Sequence, residues 1–233
     1  VEMVNFHLGQ EKISKLPTIL LAAGLHGDEQ LAISTLLHFL ETVPVAYQYN
    51  HDWYRILNNV RFVVLPIANI SGFSVGIKKE VIMLNNKKEH IDPKEDFNWN
   101  NESRCFRTNT SQLLYFIQQK YLVSGALILS GGKEQIIMPR EPSEKDLNKP
   151  PVDLPIFEMV AKAMNYSAKS QKLRQYSIEI FNPKSGTSPY LMWLYAASEK
   201  PSLAKTICFA KSGDFKERHK LVTDTSNRVF VME

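Results

Sequence analysis

The chain has 233 residues, of which 44% are hydrophobic and 22% are charged, a composition typical of a globular protein with one sizeable core. Its formal net charge is only +4, with 24 acidic residues set against 28 basic ones, so nucleic acid is not an expected partner. No apolar run reaches the roughly 18 residues that span a bilayer, so we expect no membrane span in this sequence. The simplest prediction is a single domain over residues 1–233, truncated at both ends relative to the natural protein.

The first predicted element is a buried strand over residues 18–25, an apolar run that glycine ends. His26 and Glu29 follow at once, and an amphipathic helix begins directly after them. The stripe of this helix that faces the core is predicted to consist of Ile33, Leu36, Leu37 and Leu40. A second buried strand is predicted over residues 60–66, and the sequence NISGF after it predicts a turn.

The middle of the chain is more polar. Residues 77–101 are lysine-rich and without clean periodicity, which predicts a long loop. A helix in TSQLLYFIQQKYL and a third buried strand over residues 125–130 follow. Beyond an exposed loop, REPSEKDLNKPP, Asp153 is a predicted helix N-cap with Pro155 just inside the helix. Further strands are predicted in YSIEIF and AKTICFA.

This alternation of strands and helices indicates an α/β fold, in which a largely parallel sheet is covered by helices on both faces. Ligands of such sheets bind beyond the carboxyl ends of the strands. His26, Asn69 and Ser130 all lie at such ends, so the sequence places a candidate site there.

Five blocks carry a resemblance to a known family. They read GLHGDEQ, LPIANISGF, DPKEDFNW, LILSGGKEQIIMP and MWLYAAS, in that order. Their order and spacing resemble the zinc carboxypeptidase (funnelin) family, over most of the chain. The resemblance implies a mixed, twisted sheet of about eight strands with helices on both faces. It also implies a zinc ion held by two histidines and a glutamate, a glutamate general base, and an arginine that binds the substrate's terminal carboxylate.

The metal ligands that the resemblance implies are only partly present. His26 and Glu29 match the first two ligands, but Ser130 stands where the third, a histidine, is expected. A neutral hydroxyl is a poor zinc donor beside an imidazole, so we expect zinc to bind weakly or not at all. His90, in the predicted loop, could in principle swing in as a substitute. Taken alone, the first pair would fit a surface histidine beside a carboxylate at a helix start.

The other roles are also altered. Lys94 and Glu95 align with the family's Asn-Arg pair, which makes them candidate substrate-binding residues, although a glutamate repels a carboxylate. The simpler interpretation is that they form a solvated loop pair. Asn69 lies in the block that resembles the family's NPDG turn and is a third candidate for substrate binding. Cys208 aligns with the general base, but a thiol is no carboxylate base, and a buried strand cysteine is the simpler interpretation.

Three functional hypotheses follow from these changes at the ligand, clamp and base positions. The first is a pseudoenzyme without a complete zinc site, which serves as a binding or assembly module for a peptide or protein within a larger assembly. The second is a zinc metallocarboxypeptidase with a rearranged ligand set, which hydrolyses C-terminal residues with zinc-activated water. The third is a related hydrolase of acyl-amino acids. No pattern indicates a compartment, an oligomeric state or a pairing of Cys105 with Cys208.

Overall fold

A computed structural model of the chain describes residues 4–6, 16–84, 86–97, 106–121, 123–131, 135–138, 154–170, 177–180 and 230–232. The strands in these residues are β1 (Val4–Phe6), β2 (Thr18–Ala23), β3 (Arg61–Leu65), β4 (Glu80–Leu84), β5 (Lys87–Ile91), β6 (Val123–Leu129), β7 (Gln135–Met138), β8 (Ser177–Ile180) and β9 (Phe230–Met232). The helices are α1 (Gln30–Tyr49), α2 (His51–Asn59), α3 (Ile70–Val75), α4 (Asn109–Lys120) and α5 (Leu154–Ser170). One turn of 3-10 helix, Pro93–Glu95, follows β5.

Five of the strands form one mixed sheet in the order β1-β3-β2-β6-β9. β1 runs antiparallel to β3, whereas the neighbouring pairs β3–β2, β2–β6 and β6–β9 are parallel. This arrangement confirms the predicted mixed, largely parallel sheet. The predicted number of about eight strands stays a prediction, because in the described residues β7 and β8 form a separate parallel pair and β4 and β5 a separate hairpin.

Helices cover both faces of this sheet, as predicted. Leu20 and Leu21 are neighbours on β2, and their side chains point to opposite faces because successive strand residues alternate. Leu20 packs in a core that includes Leu114 of α4, whereas Leu21 packs in a second core with Leu36 of α1. Each fully buried leucine contributes about 1.5–3 kcal/mol, so these two layers hold β2 rigidly in the middle of the sheet.

The prediction of a long loop over residues 77–101 is wrong. β4 and β5 pair antiparallel in this stretch, and Asn86 turns the chain between them with a positive φ of 61°. The first four residues of β5 are exposed to solvent, so this strand has almost no apolar positions that could show a period of two. The hairpin therefore escaped detection because its sequence is polar, although its backbone is regular.

Two smaller expectations also differ from the structure. The turn predicted in NISGF is the short helix α3, which begins after the N-cap Asn69. In α1, Ile33 and Leu36 are buried as predicted, but Leu37 is 42% exposed because it lies at the edge of the stripe that faces the core. Asp153, the loop after residue 138 and the strand predicted in AKTICFA lie outside the described residues. None of the described helices has the length and apolar character needed to cross a bilayer.

Candidate functional site

The chain segments that leave β2 and β6 meet at the carboxyl edge of the sheet. Glu29 follows β2, and its Oε1 accepts a hydrogen bond of 2.6 Å from the hydroxyl of Ser130, which directly follows β6. The same oxygen lies 3.1 Å from Nδ1 of His26. Parallel pairing of the two strands aligns their ends, so residues 101 positions apart in the chain come into contact.

The ring of His26 lies between two carboxylates. Its Nδ1 faces Glu29, and its Nε2 is 2.8 Å from Oδ1 of Asp92, just beyond β5. The second oxygen of Asp92 forms an ion pair of 2.8 Å with Lys78. Burial lowers the pKa of His26, but the hydrogen bonds to Asp92 and Glu29 outweigh it and raise the pKa above its ordinary value.

Lys94 is buried at the centre of the site, which corrects its interpretation as half of a solvated loop pair. Its ammonium donates a hydrogen bond of 2.5 Å to Ser130 and lies 3.5 Å from Oε1 of Glu29. The side chain of Lys94 is only 8% exposed. Glu95, in contrast, is exposed as expected.

The turn that carries Lys94 explains its direction. Oδ1 of Asp92 accepts a hydrogen bond of 3.0 Å from the backbone N–H of Lys94 and so caps the 3-10 turn. Pro93 supplies the fixed φ at the first position of the turn. Lys94 and Glu95 are adjacent in this turn, so their side chains leave it in different directions, and the first enters the site while the second points to solvent.

We call His26, Glu29, Asp92, Lys94 and Ser130 the cleft cluster. Burial would raise the pKa of Glu29, but the hydrogen bond with His26, the charge of Lys94 and the hydrogen bond from Ser130 lower it to about 2. Burial likewise opposes ionisation of Asp92, yet its hydrogen bonds with His26 and Lys78 hold its pKa well below the usual range. Both carboxylates are therefore ionised at neutral pH, and cationic side chains compensate them.

Asn69 has a structural position behind the cleft cluster. It is fully buried, and its Oδ1 accepts a hydrogen bond of 2.8 Å from Gly72 N, while its Nδ2 donates one of 3.3 Å to the carbonyl of Lys78. A Cβ on Gly27 would lie 2.1 Å from the carbonyl carbon of Gly72, so the turn after β2 packs directly on α3. A role for Asn69 in substrate binding stays a prediction.

The remaining sequence candidates lie elsewhere. His90 is exposed on β5 opposite Val81, and no hydrogen bond or ion pair among the described residues joins it to the cleft cluster. Its proposed swing into the site is therefore without support in this arrangement. Cys208 lies outside the described residues, so its place relative to the cluster stays a prediction.

Sequence reasoning assigned no role to Asp92 or Lys78. A signal for Asp92 was present, because it opens the block DPKEDF and because a carboxylate commonly accepts the outer N–H of a metal-binding histidine. Lys78 had no such signal. It lies in the run GIKKE beside Lys79, and only the fold distinguishes the lysine that reaches Asp92 from the exposed neighbour.

The donor set of the cleft cluster does not fit zinc. A zinc site needs at least three good donors at about 2.0–2.3 Å, whereas the three predicted ligand positions hold His26, Glu29 and the neutral hydroxyl of Ser130. The ammonium of Lys94 lies against that hydroxyl. Two unit charges of the same sign 4 Å apart repel by about 4 kcal/mol at an effective dielectric of 20, and a divalent ion doubles this energy. In the described part of the chain, no three His, Cys, Asp or Glu side chains form a group that could hold a metal ion.

Comparison with known proteins gives one consistent result. The sequence profile of the zinc carboxypeptidase family matches residues 1–215. A search of curated protein sequences finds no match. Among solved structures, the chain is similar to carboxypeptidase A from Helicoverpa armigera, with 14% identity and a TM-score of 0.62 over 76% of this chain and 48% of that one.

Two other structures give the same result. Thrombin-activatable fibrinolysis inhibitor is 12% identical with a TM-score of 0.63 and is matched over 99% of this chain and 56% of its own. A metallo-carboxypeptidase from Burkholderia cenocepacia is 8% identical with a TM-score of 0.55, over 99% of this chain and 51% of its own. At such identities the similarity establishes the fold alone. The chain spans about half the length of these three proteins.

Proposed function

The chain belongs to the zinc carboxypeptidase family, and from this premise we propose that it is a member without a complete zinc site, which acts as a binding or assembly module for a peptide or protein partner. In this proposal the fold is retained as a scaffold, and hydrolysis is lost. Function depends on the side chains at the site, and those are the parts of this chain that depart from the family pattern.

One observation carries the proposal: the third ligand position holds the hydroxyl of Ser130, which is already engaged by Glu29 and Lys94. A metal ion entering the site would have to displace an ammonium and break two short hydrogen bonds. It would gain only a weak neutral donor in return. A zinc ion bound so poorly could not activate water for peptide hydrolysis.

The position of the substrate clamp supports the same conclusion. Glu95 aligns with the family's carboxylate-binding arginine and points to solvent with the opposite charge. Lys94, which could have replaced that positive charge, is turned inward and used within the cleft cluster. A partner with a free C-terminal carboxylate is therefore not favoured at this position, whereas a basic or amidated terminus is compatible with it.

A second candidate function, a zinc metallocarboxypeptidase with a rearranged ligand set, is favoured by one contact. Asp92 accepts from Nε2 of His26, the arrangement that orients a histidine ligand in many metal sites. This candidate needs a third ligand from outside the described residues, and it needs Lys94 to leave the site. Zinc would then supply an activated water, while His26 and Glu29 would hold the ion.

Two measurements on the purified full chain separate these candidates. Zinc content is determined by mass spectrometry of the metal after exposure to zinc and removal of the excess. Three kinds of peptide are then incubated with the protein: peptides with a free C-terminal carboxylate that end in an acidic residue, those that end in a basic residue, and peptides with an amidated C-terminus. Cleavage and binding are recorded separately. The proposal expects much less than one zinc per chain and binding of a peptide without cleavage. Stoichiometric zinc together with loss of the C-terminal residue would establish the enzyme instead.

A further inference from the structure

We infer that the ammonium of Lys94 has replaced the metal ion as the cation held by the inherited ligand positions. This inference deepens the proposed function and rests on it, because it assigns the reason why the site excludes zinc. It also assigns the cleft cluster a structural role: the cluster is an internal ion site that stabilises the carboxyl edge of the sheet.

The contacts of Lys94 are those of a bound cation. Its ammonium lies within 3.5 Å of Glu29 and 2.5 Å of Ser130, the side chains at the second and third ligand positions. Glu29 in turn lies 3.1 Å from His26, at the first position. Three side chains that would surround one ion thus form a connected group, and the ammonium of Lys94 contacts two of them, Glu29 and Ser130.

Burial distinguishes this arrangement from an ordinary surface ion pair. The side chains of Lys94 and Glu29 are 8% and 6% exposed, so each charge has lost most of its hydration and needs the other. Lys78, which pairs with Asp92 at the rim, is 53% exposed and depends much less on its partner. The two lysines reach the same cluster, and only the buried one lies at the ligand positions.

The 3-10 turn after β5, Pro93–Glu95, shows that the fold determines where Lys94 lies. Asp92 faces His26 with its side chain and also holds the backbone N–H of Lys94. One carboxylate therefore orients both the first ligand position and the residue that supplies the cation. This shared support is a structural reason for lysine at residue 94, rather than a chance contact of a long side chain.

The variant Lys94→Met removes the charge and keeps most of the volume of the side chain. We expect its Tm to fall by about 4–8 °C, because the buried carboxylate of Glu29 loses its ion pair with the ammonium and keeps only His26 and Ser130 as partners. We also expect its zinc affinity, measured by calorimetric titration, to be at least about tenfold higher than that of the wild type, because repulsion between two cations is gone. Saturating zinc should restore part of the lost Tm in the variant and leave the wild type unchanged.

Lys79→Met is the matched control, because Lys79 is exposed in the same region of the chain and the substitution changes net charge equally. It should alter neither Tm nor zinc affinity. A second variant, Lys94→Ala, tests whether the change in Tm comes from the lost charge rather than from altered packing. Propylammonium should raise its Tm more than equimolar 1-propanol, since only the first supplies a positive charge to the vacated space.

The outcomes separate this inference from the proposed function. Unchanged Tm and zinc affinity in Lys94→Met, or equal effects of propylammonium and 1-propanol on Lys94→Ala, overturn the inference. Zinc content and cleavage by the wild type do not depend on those variants. The wild type could be free of zinc and inactive while Lys94→Met changes neither Tm nor zinc affinity. That result would contradict the role of Lys94 and would still support the pseudoenzyme proposal.

Discussion

Two clusters of buried carboxylates lie in the part of the chain that the structure describes, and they are satisfied in different ways. Glu80 and Asp96, at the start of α4, are each 1% exposed and accept hydrogen bonds from backbone N–H groups and hydroxyls. Glu29 and Asp92, in the cleft cluster, face the imidazole of His26 and the ammonium groups of Lys94 and Lys78. The first pair is satisfied mainly by these donors, with Arg107 Nε lying 3.5 Å from Oδ1 of Asp96 as an additional ion pair, whereas the second pair has lysine ammonium groups as partners.

The cluster at the start of α4 is a helix cap. Asp96 Oδ2 accepts from Thr108 N at 2.7 Å, from Thr108 Oγ1 at 3.0 Å and from Ser111 Oγ at 2.6 Å. Glu80 accepts from the N–H groups of Asn109 and Thr110 at 2.8 and 3.1 Å. Negative charge is favourable at a helix N-terminus, where N–H groups lack partners within the helix. The comparison shows that the buried acids of the cap are satisfied mainly by backbone N–H groups and hydroxyls, whereas those of the cleft cluster pair with the ammonium groups of Lys78 and Lys94.

The largest expected effect comes from breaking the cap. Asp96→Ala should lower the free energy of unfolding by about 3–5 kcal/mol, because the buried N–H of Thr108 loses its acceptor, two hydroxyls lose a charged acceptor and Arg107 loses its ion pair. Chemical denaturation measures the loss, and zinc should restore none of it. Asp28→Ala, which removes an exposed carboxylate near the cleft cluster, is the control and should change stability by less than about 0.5 kcal/mol. Recovery of Asp96→Ala with zinc would mean that the two clusters are not independent.

Ser130→His sharpens the comparison from the other side, by restoring a donor to the cleft cluster. Zinc should bind at least about tenfold more tightly than to the wild type, a gain of about 1.4 kcal/mol or more. The gain should be larger in combination with Lys94→Met, since the ammonium then no longer competes. Peptide cleavage should remain absent, because Glu95 still repels a terminal carboxylate. An active peptidase produced by this single change would contradict our account of the clamp and of Cys208 at the base position.

Glu29→Gln tests the charge of the cleft cluster through pH. Its lost ion pair and charged hydrogen bonds should cost about 1–2 kcal/mol near pH 6. The pKa of Glu29 is lowered from 4.5 to about 2, so the stability that its ionisation contributes is fully present above about pH 5 and is lost as the pH falls toward 2. The Tm difference between wild type and variant should therefore shrink between pH 5 and pH 3. A difference that is constant over this range would show that the charge of Glu29 adds nothing.

The smallest effect is expected at the rim. Lys78→Met removes an ion pair to Asp92 from a side chain that is 53% exposed, so the loss should stay below about 1 kcal/mol. Sodium chloride at 0.5 M should reduce the difference further, because exposed charges are screened. If Lys78→Met lost as much stability as Lys94→Met, the buried place of Lys94 beside Glu29 and Ser130 would have no special importance for stability.

The sequence predicted the parallel sheet and the ends of its strands because long apolar runs and an amphipathic helix mark them directly. The aligned strand ends also predicted that His26 and Ser130 lie close together, whereas Glu29 joined the candidate site through the resemblance to the zinc carboxypeptidase family. The β4–β5 hairpin was missed because the exposed strand β5 carries polar residues at both phases of its period. Its absence from the prediction also hid the turn that aims Lys94 inward.

The burial of Lys94 could not be predicted from the sequence, because it depends on three contacts between distant segments. Nothing in DPKEDF distinguishes an inward lysine from a solvated one until Asp92 is seen to hold both His26 and the turn. The cap at α4 was partly readable, since Thr108 and Ser111 have the spacing of an N-cap and its third helical residue. Its two acids come from β4 and from the turn after β5, which only the fold brings near.

The most direct test is a crystal structure of the wild-type protein grown with excess zinc, with an anomalous difference map recorded at the zinc absorption edge. We predict no anomalous peak between His26, Glu29 and Ser130, and electron density for the Lys94 side chain in that place. A fully occupied tetrahedral ion bound to His26, Glu29 and a third side chain, with Lys94 turned away, would contradict the account.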